Sequence, residues 1–150
     1  MNILFTAFRG KNNSSSALLA QINGNKLLLT NSFAGLKNDI ENIDEVYDFV
    51  LMFGLDKTLK NEVRIEKIAK YEGDGIVTRI DLAHVSDAFD KENVKNSISS
   101  KPTQYLCNAA YYHMLRKTDG KAVFIHIPTL KNMNESFCNC LIKTIQKEFI

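Results

Sequence analysis

Hydrophobic positions along the chain fall into short runs separated by polar or glycine-containing punctuation, and the period of each run sets the element it predicts. Residues 3–8 (ILFTAF) are apolar with an alternating tail and predict a buried strand. Residues 26–30 predict a second strand, and residues 46–53 (VYDFVLMF) the strongest one, stopped by Gly54. Between them, Ser14 or Ser15 is expected to cap a short helix carrying Ala17, Leu18 and Ile22, and residues 36–43 to form another. Residues 55–62 read as polar loop. Residues 63–71 and 76–82 alternate, predicting extended chain on either side of the turn Glu72-Gly73-Asp74-Gly75, and 84–93 is weakly helical.

The last third is clearer. Residues 96–99 predict a short strand, and Pro102 suits the first turn of a helix. Tyr105, Leu106, Ala109, Ala110, Tyr112, Met114 and Leu115 give that helix an apolar stripe to about Lys117, and Gly120 is placed to end it. Residues 122–127 (AVFIHI) predict a buried strand stopped by Pro128. Asn134 is expected to cap a final helix in which Phe137, Cys138, Leu141, Ile142, Ile145 and Phe149 recur at helical spacing. Strands alternating with helices predict a layered α/β fold, and 150 residues fit one domain.

Composition removes several function classes. A net charge of +2, well dispersed, offers no patch for nucleic acid. No run of about 18 apolar residues exists to span a membrane, and Met1-Asn2-Ile3-Leu4-Phe5 lacks the basic and long apolar regions of an export signal. A cytoplasmic location is therefore expected, in which the three cysteines, Cys107, Cys138 and Cys140, stay as thiols. His84 and His113 belong to no metal-ligand pattern, and Gly10-Lys11 lacks both the earlier glycine and the Ser or Thr of a phosphate loop. No metal or cofactor is expected.

One juxtaposition carries chemistry. Active sites of open α/β sheets gather beyond the carboxyl ends of the strands. The helix over 102–117 spans roughly 22 Å at about 1.5 Å per residue, and the strand over 122–127 returns roughly 20 Å. The lengths nearly cancel, so Cys107, early in the helix, and His126, late in the strand, should meet at one edge. A thiol with a free pKa of about 8.5 becomes a nucleophile when a helix amino end and an imidazolium lower it, and His126 is then a base for it and an acid for a leaving amine. Taken alone, a cysteine on an apolar helix face is usually core, and a histidine in a buried strand reads equally as core.

Tyr105-Leu106-Cys107-Asn108, followed by Phe124-Ile125-His126-Ile127-Pro128, resembles the pyroglutamyl peptidase I family of cysteine peptidases. Ile98-Ser99-Ser100 is similar to that family's Val-Ser-Asn, Val63-Arg64-Ile65-Glu66-Lys67-Ile68-Ala69 to its Glu-Arg-Val-Ala segment, Phe5-Thr6-Ala7-Phe8 to its Thr-Gly-Phe, and Asn13-Ser14-Ser15 to its Asn-Pro-Ser. The resemblance implies a three-layer α/β/α sandwich with a mixed, mostly parallel sheet of the phosphorylase/hydrolase type. It implies a catalytic triad of Cys107, His126 and Glu66 that removes an N-terminal pyroglutamyl group through a thioester. Phe8 and Tyr105 would sandwich the lactam ring, with Leu106 and Asn13 beside it. The family's glycine-rich loops are replaced by Arg9-Gly10 and by Gly54-Leu55-Asp56-Lys57-Thr58, and Arg79 is the stand-in for its oxyanion arginine. The implied partner is a small peptide or blocked amino terminus, without nucleic acid or membrane. Self-association through Tyr111, Tyr112 and Phe149 is implied as well, although these three read equally as core. The altered loops leave open another small amide or ester as substrate, or a descendant that only binds.

Overall fold

The computed structural model describes all 150 residues. Six strands form one sheet: β1 (Ile3–Phe8), β2 (Asn25–Leu29), β3 (Phe49–Leu55), β4 (Val63–Glu66), β7 (Asn96–Ser99) and β8 (Ala122–Ile127), in the order β2-β1-β3-β8-β4-β7. Four neighbours, β2, β1, β3 and β8, run parallel; β4 meets β8 antiparallel and β7 parallel. The expected mixed, mostly parallel sheet is present. Its inner strands β1 and β8 are buried on both faces, which is why they read as continuous apolar runs.

Helices cover both faces. On one side α1 (Ser14–Ala20), α3 (Leu82–Lys91) and α5 (Glu135–Glu148) enclose Phe5, Leu51, Phe53, Ile65, Val123 and Ile125. On the other, α2 (Phe33–Glu41) and α4 (Tyr105–Lys117) enclose Leu4, Phe8, Val50, Met52 and Phe124. A two-stranded hairpin, β5 (Ile68–Tyr71) and β6 (Asp74–Val77), lies against α4. Its Glu72 and Gly73 both take positive φ, 50° and 89°, as a two-residue hairpin turn requires.

Several boundaries differ from expectation, each for a local reason. The expected strand over 46–53 begins at Phe49, because Val46 is exposed and Asp48 is tied to Asn2. It passes through Gly54, which pairs in register with His126. Residues 63–71 split between two sheets at Lys67, whose amide bonds Ser99 while its carbonyl accepts from Thr78. The strand expected over 76–82 stops at Val77, and Asp81 caps α3. Asn13, not Ser14 or Ser15, caps α1. Pro102 does not open α4: Gln104 is extended and Tyr105 has φ +58°, so the helical run cannot reach back to it. Tyr111, Tyr112 and Phe149 are buried in the core, which removes them as an association surface.

Candidate active site

Four parallel strands and the start of α4 share one edge of the sheet. Register places Gly54, His126 and Arg64 side by side across β3, β8 and β4, with Phe8 at the end of β1 on the same face covered by α4. The next row inward is Thr6, Met52, Phe124 and Glu66. Strands lie about 4.8 Å apart, so each row is a line of side chains about one strand spacing from its neighbours.

Gly54 is the gap in the outer row, and Cys107 fills it. A β-carbon on Gly54 would lie 2.9 Å from Cys107 Sγ and 2.6 Å from Phe124 Cζ. The thiol therefore sits above β3, the strand next to β8. No hydrogen bond joins Cys107 to His126. His126 is buried, its ring 4.8 Å from the Phe124 ring beneath it. Its Nδ1 lies 2.8 Å from Oε1 of Glu66, itself 1% exposed. An ionised carboxylate only accepts, so that contact puts the proton on Nδ1 and leaves Nε2 with a free lone pair.

Glu66 has a second partner. Arg64 Nε donates to the same Oε1 at 2.7 Å, and Arg64 Nη2 donates to Asp56 Oδ2 at 2.8 Å. Asp56 also accepts from the Thr58 amide and hydroxyl at 2.8 and 2.6 Å. Burial raises the Asp56 carboxyl, but the bonds from Thr58 and Arg64 outweigh it and hold the group at about 2. A carboxyl depressed by folding contributes stability that is complete above about pH 4 and lost as pH falls through about 2. Urea midpoints of Asp56→Asn should therefore be flatter than those of the parent across that window; parallel curves would contradict this.

Two further contacts fix the helix. Tyr111 Oη donates to the Glu66 carbonyl at 2.8 Å. The Asn108 carboxamide bonds both backbone groups of Lys70, at 3.1 and 2.6 Å, pinning α4 to β5 one residue after the cysteine. Gln104 supplies no side-chain cap, so the first amides of α4 remain free at this edge. The thiol itself is not activated at rest. Burial, with Glu66 and Asp56 nearby, pushes Cys107 up to about 12, and Arg64 only partly opposes it. Burial is the largest cause of the rise.

The remaining expected residues divide. Leu106 is half-buried against the same core as Cys107, and Phe8 is buried in the outer row. Tyr105 is 79% exposed, at the first turn of α4. Asn13 lies at this edge, but its oxygen is committed to the Ser15 amide and hydroxyl. Arg79 lies at the opposite end of β8, bonded to Asp119 with Gly120 against its side chain, and does not reach the site. Arg64 is the arginine that does, and the strand alternation of Arg64 with Glu66 was the available signal. Nowhere do three His, Cys, Asp or Glu side chains converge as a metal site would require, and no helix is long and apolar enough to cross a membrane.

No family model matches the sequence, and no curated protein matches it. Solved structures do match. The fold is that of the pyrrolidone carboxyl peptidases. The enzyme from Fervidobacterium islandicum superposes with a TM-score of 0.80 at 20% identity, covering 100% of both chains. The pyrrolidone carboxyl peptidase of Thermus thermophilus gives 0.78 at 19%, covering 99% of this chain and 100% of its own. Pyroglutamyl peptidase I of Bacillus amyloliquefaciens gives 0.73 at 14%, covering 95% and 94%. The fold thus matches over nearly the whole chain at low sequence identity.

Proposed function

We propose that the protein is a cytoplasmic cysteine peptidase-like hydrolase with Cys107 as nucleophile, His126 as general base and Glu66 as the residue that orients it. The observation that carries this is the buried Glu66–His126 hydrogen bond beside a thiol seated over Gly54. With Nδ1–H held by Glu66, Nε2 receives the thiol proton as a substrate carbonyl arrives; catalytic hydrogen bonds commonly tighten only then. Sulfur adds to the carbonyl carbon, and the free amides at the start of α4 face the developing oxyanion. His126 returns the proton to the leaving amine, and water then releases the acid from the thioester. The names of the structural relatives favour an N-terminal pyroglutamyl group as substrate.

Two observations support a different outcome. Tyr105 is 79% exposed and encloses little, which favours another small amide or ester over a flat lactam ring. A thiol at about 12 with no bond to His126 is what a non-catalytic descendant would keep. Incubation with a pyroglutamyl-coumarin amide, the parent against Cys107→Ala, separates these. Turnover by the parent alone is expected. Turnover of other acyl amides only would move the substrate class, and equal inactivity of both proteins on every acyl amide would leave the binding descendant.

A further inference from the structure

The orienting carboxylate of a triad usually answers to one base. Here Oε1 of Glu66 accepts from two donors, His126 Nδ1 and Arg64 Nε, and Arg64 is shared in turn with Asp56. The four side chains form a line, Asp56, Arg64, Glu66, His126, whose first three members alternate in charge, running from the partly exposed rim into the buried interior. The line is built by the fold. Arg64 pairs with His126 across the antiparallel β4–β8 ladder, Glu66 follows on the same face two residues on, and Asp56 is the first residue after β3.

We propose that the Asp56–Arg64 pair is a positioning and charge-setting device for the Glu66–His126 dyad, with Arg64 fixing the carboxylate rotamer and governing how readily the dyad takes up a proton. It builds on the reading of His126 as base. Arg64 and Asp56 touch neither the thiol nor any reacting atom, so they act through the dyad. A cation bonded to Glu66 Oε1 opposes a proton arriving on the imidazole across the same oxygen, and Asp56 offsets part of that cation. The charged and titratable groups facing the dyad are Arg64 from β4, Asp56 from the segment after β3, and Cys107 and Tyr111 from α4. The last two are neutral at rest, since burial raises both. The sign of any shift therefore follows from Arg64 and Asp56. Removing the cation strengthens proton binding by the dyad, whichever partner holds the proton, and removing Asp56 weakens it.

The test is the His126 ring titration by NMR in the full-length chain with labelled histidine. Arg64→Gln should raise the midpoint by about one pH unit and Asp56→Asn should lower it by about half a unit. Arg64→Lys, which keeps the charge, should return the midpoint to within a few tenths of the parent. Opposite signs are the diagnostic, because loss of packing alone would not produce them. Unmoved midpoints, or shifts of the same sign, would overturn the proposal. Asp56 lies towards the rim, so Asp56→Asn carries the test alone should Arg64→Gln not fold: a lowered midpoint supports the device, and an unchanged or raised one refutes it. The readout needs no turnover. Shifts of the expected signs in a protein that hydrolyses nothing would uphold the device while the hydrolase reading fell.

Discussion

Replacing Glu66 by alanine is expected to cost about 3 kcal/mol of stability, as breaking a buried charge pair usually does, and turnover on the order of 10³-fold or more. Both effects come from one oxygen. Oε1 is the acceptor for His126 Nδ1 and Arg64 Nε, at 2.8 and 2.7 Å, inside a region where His126 and Glu66 are 3% and 1% exposed. Without it the imidazole has a buried donor with no acceptor, and the half-buried guanidinium keeps only Asp56. The ring then loses its tautomer and its orientation together. In a chain of this size the stability loss should lower Tm by roughly 10 °C. Glu66→Gln separates the two effects, since an amide oxygen of nearly the same shape can still accept while the charge is gone. It should keep more stability than the alanine variant and still lose most turnover. An alanine variant as stable as the parent would contradict the account.

Gly54→Ala is the second large expectation. The added methyl would meet the Phe124 ring at 2.6 Å and Cys107 Sγ at 2.9 Å. Phe124 cannot turn aside, because it is fully buried between the Tyr111 and His126 rings at 5.7 and 4.8 Å. The strain must go into lifting α4, which Asn108 and Tyr111 hold down. Overpacking of this kind costs about 2 kcal/mol. Displacing a nucleophile by about 1 Å costs on the order of 10²-fold in rate. Urea unfolding reads the first and single-turnover acylation the second. A variant with unchanged urea midpoint would show that the sulfur does not rest on this glycine.

Much of the architecture was legible before any coordinates, and for identifiable reasons. Strands buried on both faces, such as β1 and β8, announce themselves as unbroken apolar runs, and α5 does so by its stripe of Phe137, Leu141 and Ile145. Near-equal lengths of α4 and β8 brought Cys107 and His126 to one edge without any knowledge of topology. Glu66 was legible only by resemblance, since nothing local distinguishes it from the solvated carboxylates around it. Register made the difference, and register between β4 and β8 is a tertiary fact. The same blindness misplaced Arg79. It was chosen by order along the chain, whereas the arginine at the site, Arg64, lies two residues before the acid. Gly54 read as a strand terminator because a glycine's lack of side chain has two meanings, a turn or a close approach, and the sulfur that approaches comes from far along the chain. The elevated thiol was invisible for a related reason: helix position is written in the sequence, and the depth at which the helix lies is not.

The direction of β4 has a consequence for how the site comes into being. Glu66 and His126 sit on neighbouring strands but sixty residues apart in sequence, and the strands run opposite ways. The four parallel strands can pair their ladders before β4 and β7 dock, and β4 then completes the core layer with Val63 and Ile65. Glu66 reaches His126 only when the outer pair docks. Maturation of the dyad is thus separable in time from formation of the main core. Amides of β4 and β7 should exchange with solvent through a smaller opening than those of β1 and β3, an opening that parts acid from base while most of the molecule stays folded.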